Sequence, residues 1–270
     1  MKVLMIGDIV GKTGRQALAE HLPGLKQRLG LDFVIVNGEN AAHGFGISDK
    51  ICNQFYELGV DVVTTGNHVW DQREIMNTID NDPRLLRPLN FPAGTPGAGY
   101  GIYKTKDDQR ILVVNAMARL FMDPLDDPFT AIDKLFEQYR LGRDIEAAIV
   151  DFHGEATSEK QAMGHLLDGR VSAVVGTHTH VPTADYRILA GGTAYQSDLG
   201  MTGDYDSVIG MKKKVATARF TTKLPQGRLE PAEGEASLCG LYVETSPATG
   251  LAIRVDPVRI GGQLKETLPN

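Results

Sequence analysis

One phrase recurs along the first two-thirds of the chain: a short aliphatic run, a cluster of small polar residues, then a stretch with helical spacing. Val3-Leu4-Met5-Ile6 gives way to Gly7-Asp8, Phe33-Val34-Ile35-Val36 to Asn37-Gly38-Glu39-Asn40, and Val60-Asp61-Val62-Val63-Thr64 to Thr65-Gly66-Asn67-His68. Ile111-Leu112-Val113-Val114 ends at Asn115, Ala148-Ile149-Val150-Asp151-Phe152 at His153-Gly154-Glu155, and Val171-Ser172-Ala173-Val174-Val175 at Gly176-Thr177-His178-Thr179-His180. Runs this continuous suit strands covered on both faces. Between them, Leu18, Leu22, Leu25 and Leu29 predict a helix over 13–29. Helices are also expected over 48–58 and 158–167, with Ser48 and Ser158 as their caps. The alternation implies βαβ units and a mostly parallel sheet.

Past Pro182 the pattern changes. Residues 194–196, 215–220, 237–243 and 251–255 read as shorter strands with polar alternation, expected to pair antiparallel as a second sheet or a sheet edge. Residues 225–235 are expected to form an exposed loop and 84–101 an irregular stretch, both dense in Pro and Gly. One domain over 1–270 is expected, with a small subdomain or lid within 201–236.

Composition narrows the function classes. With 42% hydrophobic and 23% charged residues, the 270-residue chain is an ordinary globular one. Its net charge is -6, and Lys212, Lys213 and Lys214 form its only basic triplet, which argues against duplex nucleic acid as a partner. An anionic small molecule remains an acceptable substrate if bound cations supply the positive charge. Cys52 and Cys239 match no zinc or redox spacing and are expected to be buried thiols. The N-terminus turns polar too quickly for a signal peptide, and no apolar run approaches the roughly 20 residues a membrane span needs, so no membrane partner and a cytoplasmic location are expected.

The polar clusters sit where strands hand over to helices, and open α/β sheets bind ligands at that end. Five strand ends therefore deliver Asp8, Glu39 and Asn40, Asn67 and His68, His153, and His178 and His180 to one rim. Alone, such an Asp is more often a helix cap and such a His a loop hydrogen-bonding residue. Together they form two carboxylates, two amides and four imidazoles, more than one tetrahedral ion needs. A mixed N/O set suits Mn, Fe or Zn over Ca or Mg. Two ions about 3.5–4 Å apart that share a carboxylate would use nearly all of it, an arrangement suited to phosphate ester hydrolysis.

Three look-alikes fall away. Gly7-Asp8-Ile9-Val10-Gly11-Lys12-Thr13 has three residues between its glycines where a P-loop has four. His153-Gly154-Glu155 lacks the Pro-Cys-x-x-Cys half of a zinc deaminase. No Gly-x-Ser-x-Gly turn supports serine hydrolysis.

These ordered motifs resemble the calcineurin-like metallophosphoesterases, and specifically their YmdB-like branch. The resemblance spans essentially the whole chain through Gly38-Glu39-Asn40-Ala41-Ala42, Gly66-Asn67-His68-Val69-Trp70-Asp71, Phe152-His153-Gly154-Glu155-Ala156-Thr157-Ser158-Glu159-Lys160 and Ser197-Asp198-Leu199-Gly200-Met201-Thr202-Gly203. Against the broad superfamily, Val10 stands where a His is usual, Glu39 where the bridging Asp is usual, and Val69 where an acid follows the His. Asn40 looks like the substitute for the missing imidazole. The resemblance implies an α/β fold, a two-sheet β-sandwich flanked by helices with mixed, mostly parallel sheets. It implies two divalent or trivalent metals per chain, Fe or Mn before Zn. Asp8, Glu39, Asn40 and His180 would hold the first; Glu39, Asn67, His153 and His178 the second. It further implies attack on phosphorus by a metal-bridging hydroxide, with His68 protonating the leaving oxygen or stabilising the phosphorane. The expected substrate is a small phosphodiester such as a 2′,3′- or 3′,5′-cyclic nucleotide, and the expected assembly a homo-oligomer.

His43, in the loop after Glu39, stands between a substrate contact and a surface histidine. His21 and His165 lie in expected helices and read as structural or solvated, while Trp70 and Tyr100 read as packing residues before base-stacking ones. Two rival functions stay open. One is a regulatory module that senses a nucleotide or docks an RNA-processing partner with weak turnover. The other is a phosphomonoesterase, which would need cationic contacts from 84–101.

Overall fold

The apolar runs become the inner strands of two stacked sheets. The computed structural model describes residues 1–224 and 227–269. The first sheet contains β1 (Lys2–Ile6), β2 (Phe33–Asn37), β3 (Val62–Thr64), β10 (Gly203–Asp204), β11 (Ala236–Thr245) and β12 (Ala252–Ile260). Its order is β10-β11-β1-β2-β3, with β12 on β11; β1, β2 and β3 run parallel, and β11 is antiparallel to β1. The second sheet contains β4 (Tyr100–Lys104), β5 (Arg110–Met117), β6 (Ala147–His153), β7 (Ala173–Thr177), β8 (Arg187–Ile188) and β9 (Ala194–Gln196), in the order β4-β5-β6-β7-β9-β8 with β5, β6, β7 and β9 parallel.

Both faces of each sheet are covered, which is why the strand sequences do not alternate. Val3, Met5, Phe33 and Ile35 pack inward against Ile111, Val113, Ile149 and Val175 of the facing sheet. Leu4, Ile6, Val34 and Val36 pack outward under Leu18, Leu22 and Leu25 of α1 (Gly11–Leu29) and Phe55 of α2 (Asp49–Glu57). On the other side, Leu112, Val114, Val150 and Val174 meet Ile132, Leu135 and Phe136 of α3 (Pro128–Gln138) and Met163 of α4 (Thr157–Leu166). Each fully buried Leu, Ile or Phe contributes roughly 1.5–3 kcal/mol by leaving water, so the four layers stabilise one another.

Local signals fix most boundaries. Ser48 Oγ accepts from the Ile51 amide and caps α2 as expected. Gly30, at φ 60°, closes α1 in the left-handed region that favours glycine. The α1 helix passes straight through Pro23, so its buried leucine face outweighs the lost backbone bond. Both cysteines are buried. No helix among the described residues is long and apolar enough to cross a membrane.

Several expectations fail. Residues 215–220 are not a strand but lie in helix α5 (Lys213–Thr221), of which only Ala216 is buried. With no sheet edge beside it, the alternation of Val215, Thr217 and Arg219 has no surface to read, and Ala216 and Ala218 favour helix. The 194–196 strand pairs parallel to β7, because the chain returns from the rim before re-entering the sheet; only the two-residue β8 runs antiparallel to it. Ser158 does not cap α4, which begins at Thr157 after Ala156 with no side-chain cap. Within 225–235, Pro225 and Gln226 lie outside the described residues, and Ala232 is buried rather than exposed.

Candidate metal centre

Both sheets deliver their polar strand ends to one rim. Asp8, Glu39 and Asn40, and Asn67 and His68 follow β1, β2 and β3 of the first sheet. His153 ends β6, and His178 and His180 follow β7 of the second. All eight residues named from the sequence meet there, in two adjoining groups. In one, His153 Nε2 lies 3.0 Å from Glu39 Oε1, 3.0 Å from Asn67 Oδ1 and 3.1 Å from His178 Nδ1. In the other, His180 Nε2 lies 3.2 Å from Asn40 Oδ1 and 3.9 Å from Asp8 Oδ1. His68 joins through its backbone, whose N–H donates to Glu39 Oε2 at 3.1 Å. His43 stands apart, exposed on its loop.

The outward nitrogens settle which way each imidazole presents its lone pair. His180 Nδ1 donates to the Ile209 carbonyl at 2.8 Å, so Nε2 faces Asn40 and Asp8 unprotonated. His178 Nε2 lies 3.3 Å from Glu155, so Nδ1 faces inward. His153 Nδ1 lies 2.8 Å from Thr177 Oγ1, and that hydroxyl donates to Asp151 Oδ1 at 2.7 Å. Because the Thr177 hydrogen is spent on the carboxylate, its oxygen accepts from His153 Nδ1–H, which turns Nε2 inward. Each ring thus has its outer nitrogen held and its inner one turned to the rim, as metal-ligating histidines do. The inward nitrogens of His153 and His178 stand 3.1 Å apart, a separation that needs a proton or a cation between them. Asp8 Oδ1 is fully buried with no hydrogen-bond partner, and an orphan carboxylate oxygen is expensive. These observations fit bound cations. Glu39, His153 and His178 place their ligand atoms within 4.8 Å of one another.

Electrostatics divides the two carboxylates. Burial pushes Asp8 up to about 6, since the imidazoles of His180 and His153 only partly offset it from 3.9 and 4.0 Å. Glu39 is equally buried, but the His153 charge and hydrogen bond, with His68, overcome that and hold it down to about 2. Against its own burial, His153 rises to about 9 beside Glu39 and Asp8. Burial and the neighbouring His153 push His178 down to about 3.

Strain and close approach mark the same rim. His178 and His180 have φ of 103° and 64°, uncommon for residues with a side chain, and Ile209, which receives the His180 bond, has φ 47°. A Cβ at Gly66 would sit 2.3 Å from the His153 ring and 2.5 Å from Glu39 Oε2, so only glycine lets the first sheet's loop approach.

A sequence model of the YmdB-like protein family matches residues 4–258. The chain belongs to the YmdB-like family. It is 46% identical over 260 residues to a Bacillus subtilis (strain 168) protein named 2′,3′-cyclic-nucleotide 2′-phosphodiesterase, covering 96% of this chain and 97% of the relative. A hypothetical protein from Thermus thermophilus has the same fold, with a TM-score of 0.90, 42% identity and coverage of 97% and 100% of the two chains. A structure described as a novel phosphatase from Mycoplasma pneumoniae also gives a TM-score of 0.90, at 35% identity, with 97% and 93% covered.

Within this YmdB-like rim, several residues carry weight that the sequence reading assigned to no role. Asp71 Oδ2 lies 2.8 Å from His68 Nδ1, so the acid missing at position 69 is supplied one turn later. Asp151 accepts from Thr64 Oγ1 at 2.5 Å and Asn37 Nδ2 at 3.3 Å as well as from Thr177. Lys160 Nζ, buried, donates to Asp198 Oδ2 at 2.8 Å and to the Thr177 carbonyl at 2.9 Å. Asp198 in turn accepts from the Thr179 and Gly200 amides. Polar residues inside otherwise apolar strands, Asp151 above all, were the available signal.

Proposed function

We propose that this chain is a dinuclear-metal phosphodiesterase whose substrates are small phosphodiesters, 2′,3′-cyclic nucleotides before 3′,5′-cyclic ones. That it is a hydrolase of phosphoric esters follows from its YmdB-like membership and the phosphodiesterase and phosphatase names of its relatives. The finer reading is carried by one observation: three imidazoles turn a ring nitrogen inward around Glu39 and the unpartnered Asp8 oxygen. Asp8, Glu39, Asn40 and His180 would hold one cation, and Glu39, Asn67, His153 and His178 the other, with Fe or Mn suited to this N/O set. When bound, such a pair supplies Lewis acidity to the phosphoryl oxygens and an activated water at neutral pH.

The chain's own residues do the rest. Hydrolysis of a 2′,3′-cyclic phosphate joins a water oxygen to phosphorus and breaks the P–O2′ bond, leaving a 3′-phosphomonoester. His68 is anchored at the site by its amide on Glu39, and Asp71 fixes Nδ1, so the doubly protonated ring would present Nε2–H, the proton that O2′ takes as it leaves. His43 is the candidate substrate contact on the open side. The reading places the enzyme in the cytoplasm as a homo-oligomer.

The test combines elemental analysis with hydrolysis of bis-p-nitrophenyl phosphate and of 2′,3′- and 3′,5′-cyclic nucleotides. Turnover with about two metals per chain supports the reading; metal-loaded protein that cleaves none of them sinks it. His68→Ala is expected to lower kcat by about 10²–10⁴-fold while metal content stays the same. Thr177→Val, nearly isosteric, frees His153 Nδ1–H from its acceptor. Metal affinity, measured by chelator competition, is expected to fall about 10–100-fold with the fold intact.

A further inference from the structure

Two cavities open beside His68 and join into one groove. The first, about 340 Å³, is lined by Phe45, Asp71, Gln72, Arg219, Arg228 and Leu229. The second, about 500 Å³, shares Gln72, Arg228 and Leu229 and extends to Lys12 and His43. Two of its lining residues touch His68: Asp71 bonds the ring, and Phe45 packs edge-on against it with centroids 5.1 Å apart.

Its charges are unevenly spent. On its walls, Glu230 and Glu233 are both taken by Lys212, at 2.9 and 3.6 Å, and Asp71 is taken by His68. Lys12, Arg219 and Arg228 make no ion pair among the described residues. Three cations outside any ion pair among the described residues, Arg228 within the field of Glu230, stand beside an aromatic ring in a chain of net charge -6, the pairing of backbone contacts with a stacking face that single-stranded nucleic acid uses. A mononucleotide cyclic phosphate has one phosphate, which would be held at the proposed metal centre, so it has no second phosphate to offer these side chains.

We propose that the groove binds the phosphates upstream of the scissile one, so that the preferred substrate is a short single-stranded oligoribonucleotide ending in a 2′,3′-cyclic phosphate. The inference rests on the phosphodiesterase reading above and adds the substrate's length. The same P–O2′ bond breaks, and the product is an oligonucleotide with a 3′-phosphate. Such cyclic ends arise when an RNA 2′-hydroxyl attacks its neighbouring phosphodiester, so an RNA-cleaving transesterification is the class of reaction that supplies this substrate. The overall negative charge limits the bound tract to a few nucleotides.

Calorimetric titration with a 3′-phosphorylated triribonucleotide and with a 3′-mononucleotide tests the groove without turnover. The trinucleotide is expected to bind at least tenfold more tightly. Three cation contacts predict a slope of log K against log salt about −2 more negative for the trinucleotide than for the mononucleotide, at about −0.7 per contact. In Arg219→Ala/Arg228→Ala that excess slope should fall to about −0.7, and trinucleotide affinity by about tenfold at 0.15 M salt. The wild-type ratio of kcat/KM for the cyclic-ended trinucleotide over the cyclic mononucleotide, expected at ten or more, should fall toward one. Equal wild-type binding of the two ligands, or equal weakening of both in the double variant, overturns the proposal. Length-dependent binding without turnover of either cyclic substrate would leave the groove standing and remove the phosphodiesterase reading.

Discussion

Glu39→Gln is expected to lower kcat/KM by about 10³-fold or more and to leave the protein with fewer bound metals. The substitution changes neither volume nor the acceptor oxygen for the His68 amide. What it removes is the buried charge 3.0 Å from His153 Nε2, at the carboxylate proposed to serve both cations. An amide is a weaker ligand than a carboxylate, and a poorly held metal pair forfeits several kcal/mol of transition-state stabilisation at about 1.36 kcal/mol per decade of rate. The metal-free protein gives an independent check. Glu39 is held at about 2 and His153 at about 9 by each other's presence. A depressed acid stabilises the fold above its ordinary pKa and loses that only as pH falls through about 2. The raised His153 stabilises below its ordinary 6.5 and loses that as pH rises through about 9. Between the two ordinary values the pair contributes fully, and Glu39→Gln should lower the melting temperature of chelator-treated protein most there. Unchanged metal content together with wild-type activity would remove Glu39 from the centre.

Lys160→Met should destabilise the chain by about 3–5 kcal/mol, a fall in Tm on the order of 10 °C for a domain of this size. Lys160 and Asp198 form a buried pair at 2.8 Å, and truncating one partner strands the other charge in the core. The pair also has a local duty. Lys160 reaches the Thr177 carbonyl while Asp198 takes the Thr179 and Gly200 amides, so the clamp grips the backbone on both sides of His178. That segment holds His178 at φ 103°, a conformation that persists only where its surroundings over-determine it. Metal affinity should therefore drop along with Tm, and Lys160→Met/Asp198→Asn should recover much of the Tm by removing the stranded charge. Calorimetry and chelator competition on both variants check this; a Tm within about 2 °C of wild type for the single variant contradicts it.

Much of the inner architecture was legible from pattern alone. The unalternating runs at 3–6, 33–36, 111–114 and 148–152 are strands because only a strand covered on both faces needs consecutive apolar residues. The ligand-type residues at their carboxyl ends were legible for a related reason, since such residues are costly to bury and stand out directly after an apolar run. Periphery was harder. At 215–220 only Ala216 is buried, so burial wrote no period into it and helix propensity decided the outcome. The direction of 194–196 depends on a crossover whose path through the rim no local signal encodes.

The sequence by itself determined the layered α/β class and which residues would gather at one rim, because periodicity and strand-end position are local properties of the chain. Only the tertiary structure decided how those residues face. That His153 presents Nε2 follows from Thr177 and Asp151, 24 and 2 residues away in sequence but joined across β6 and β7. That Asp71 rather than position 69 supports His68 follows from the turn after β3, and that Lys12, Arg219 and Arg228 border one groove follows from packing the 228–233 segment against the 42–45 loop. Hydrogen-bond direction and charge proximity are relations between distant parts of a chain, and they come into being only when it folds.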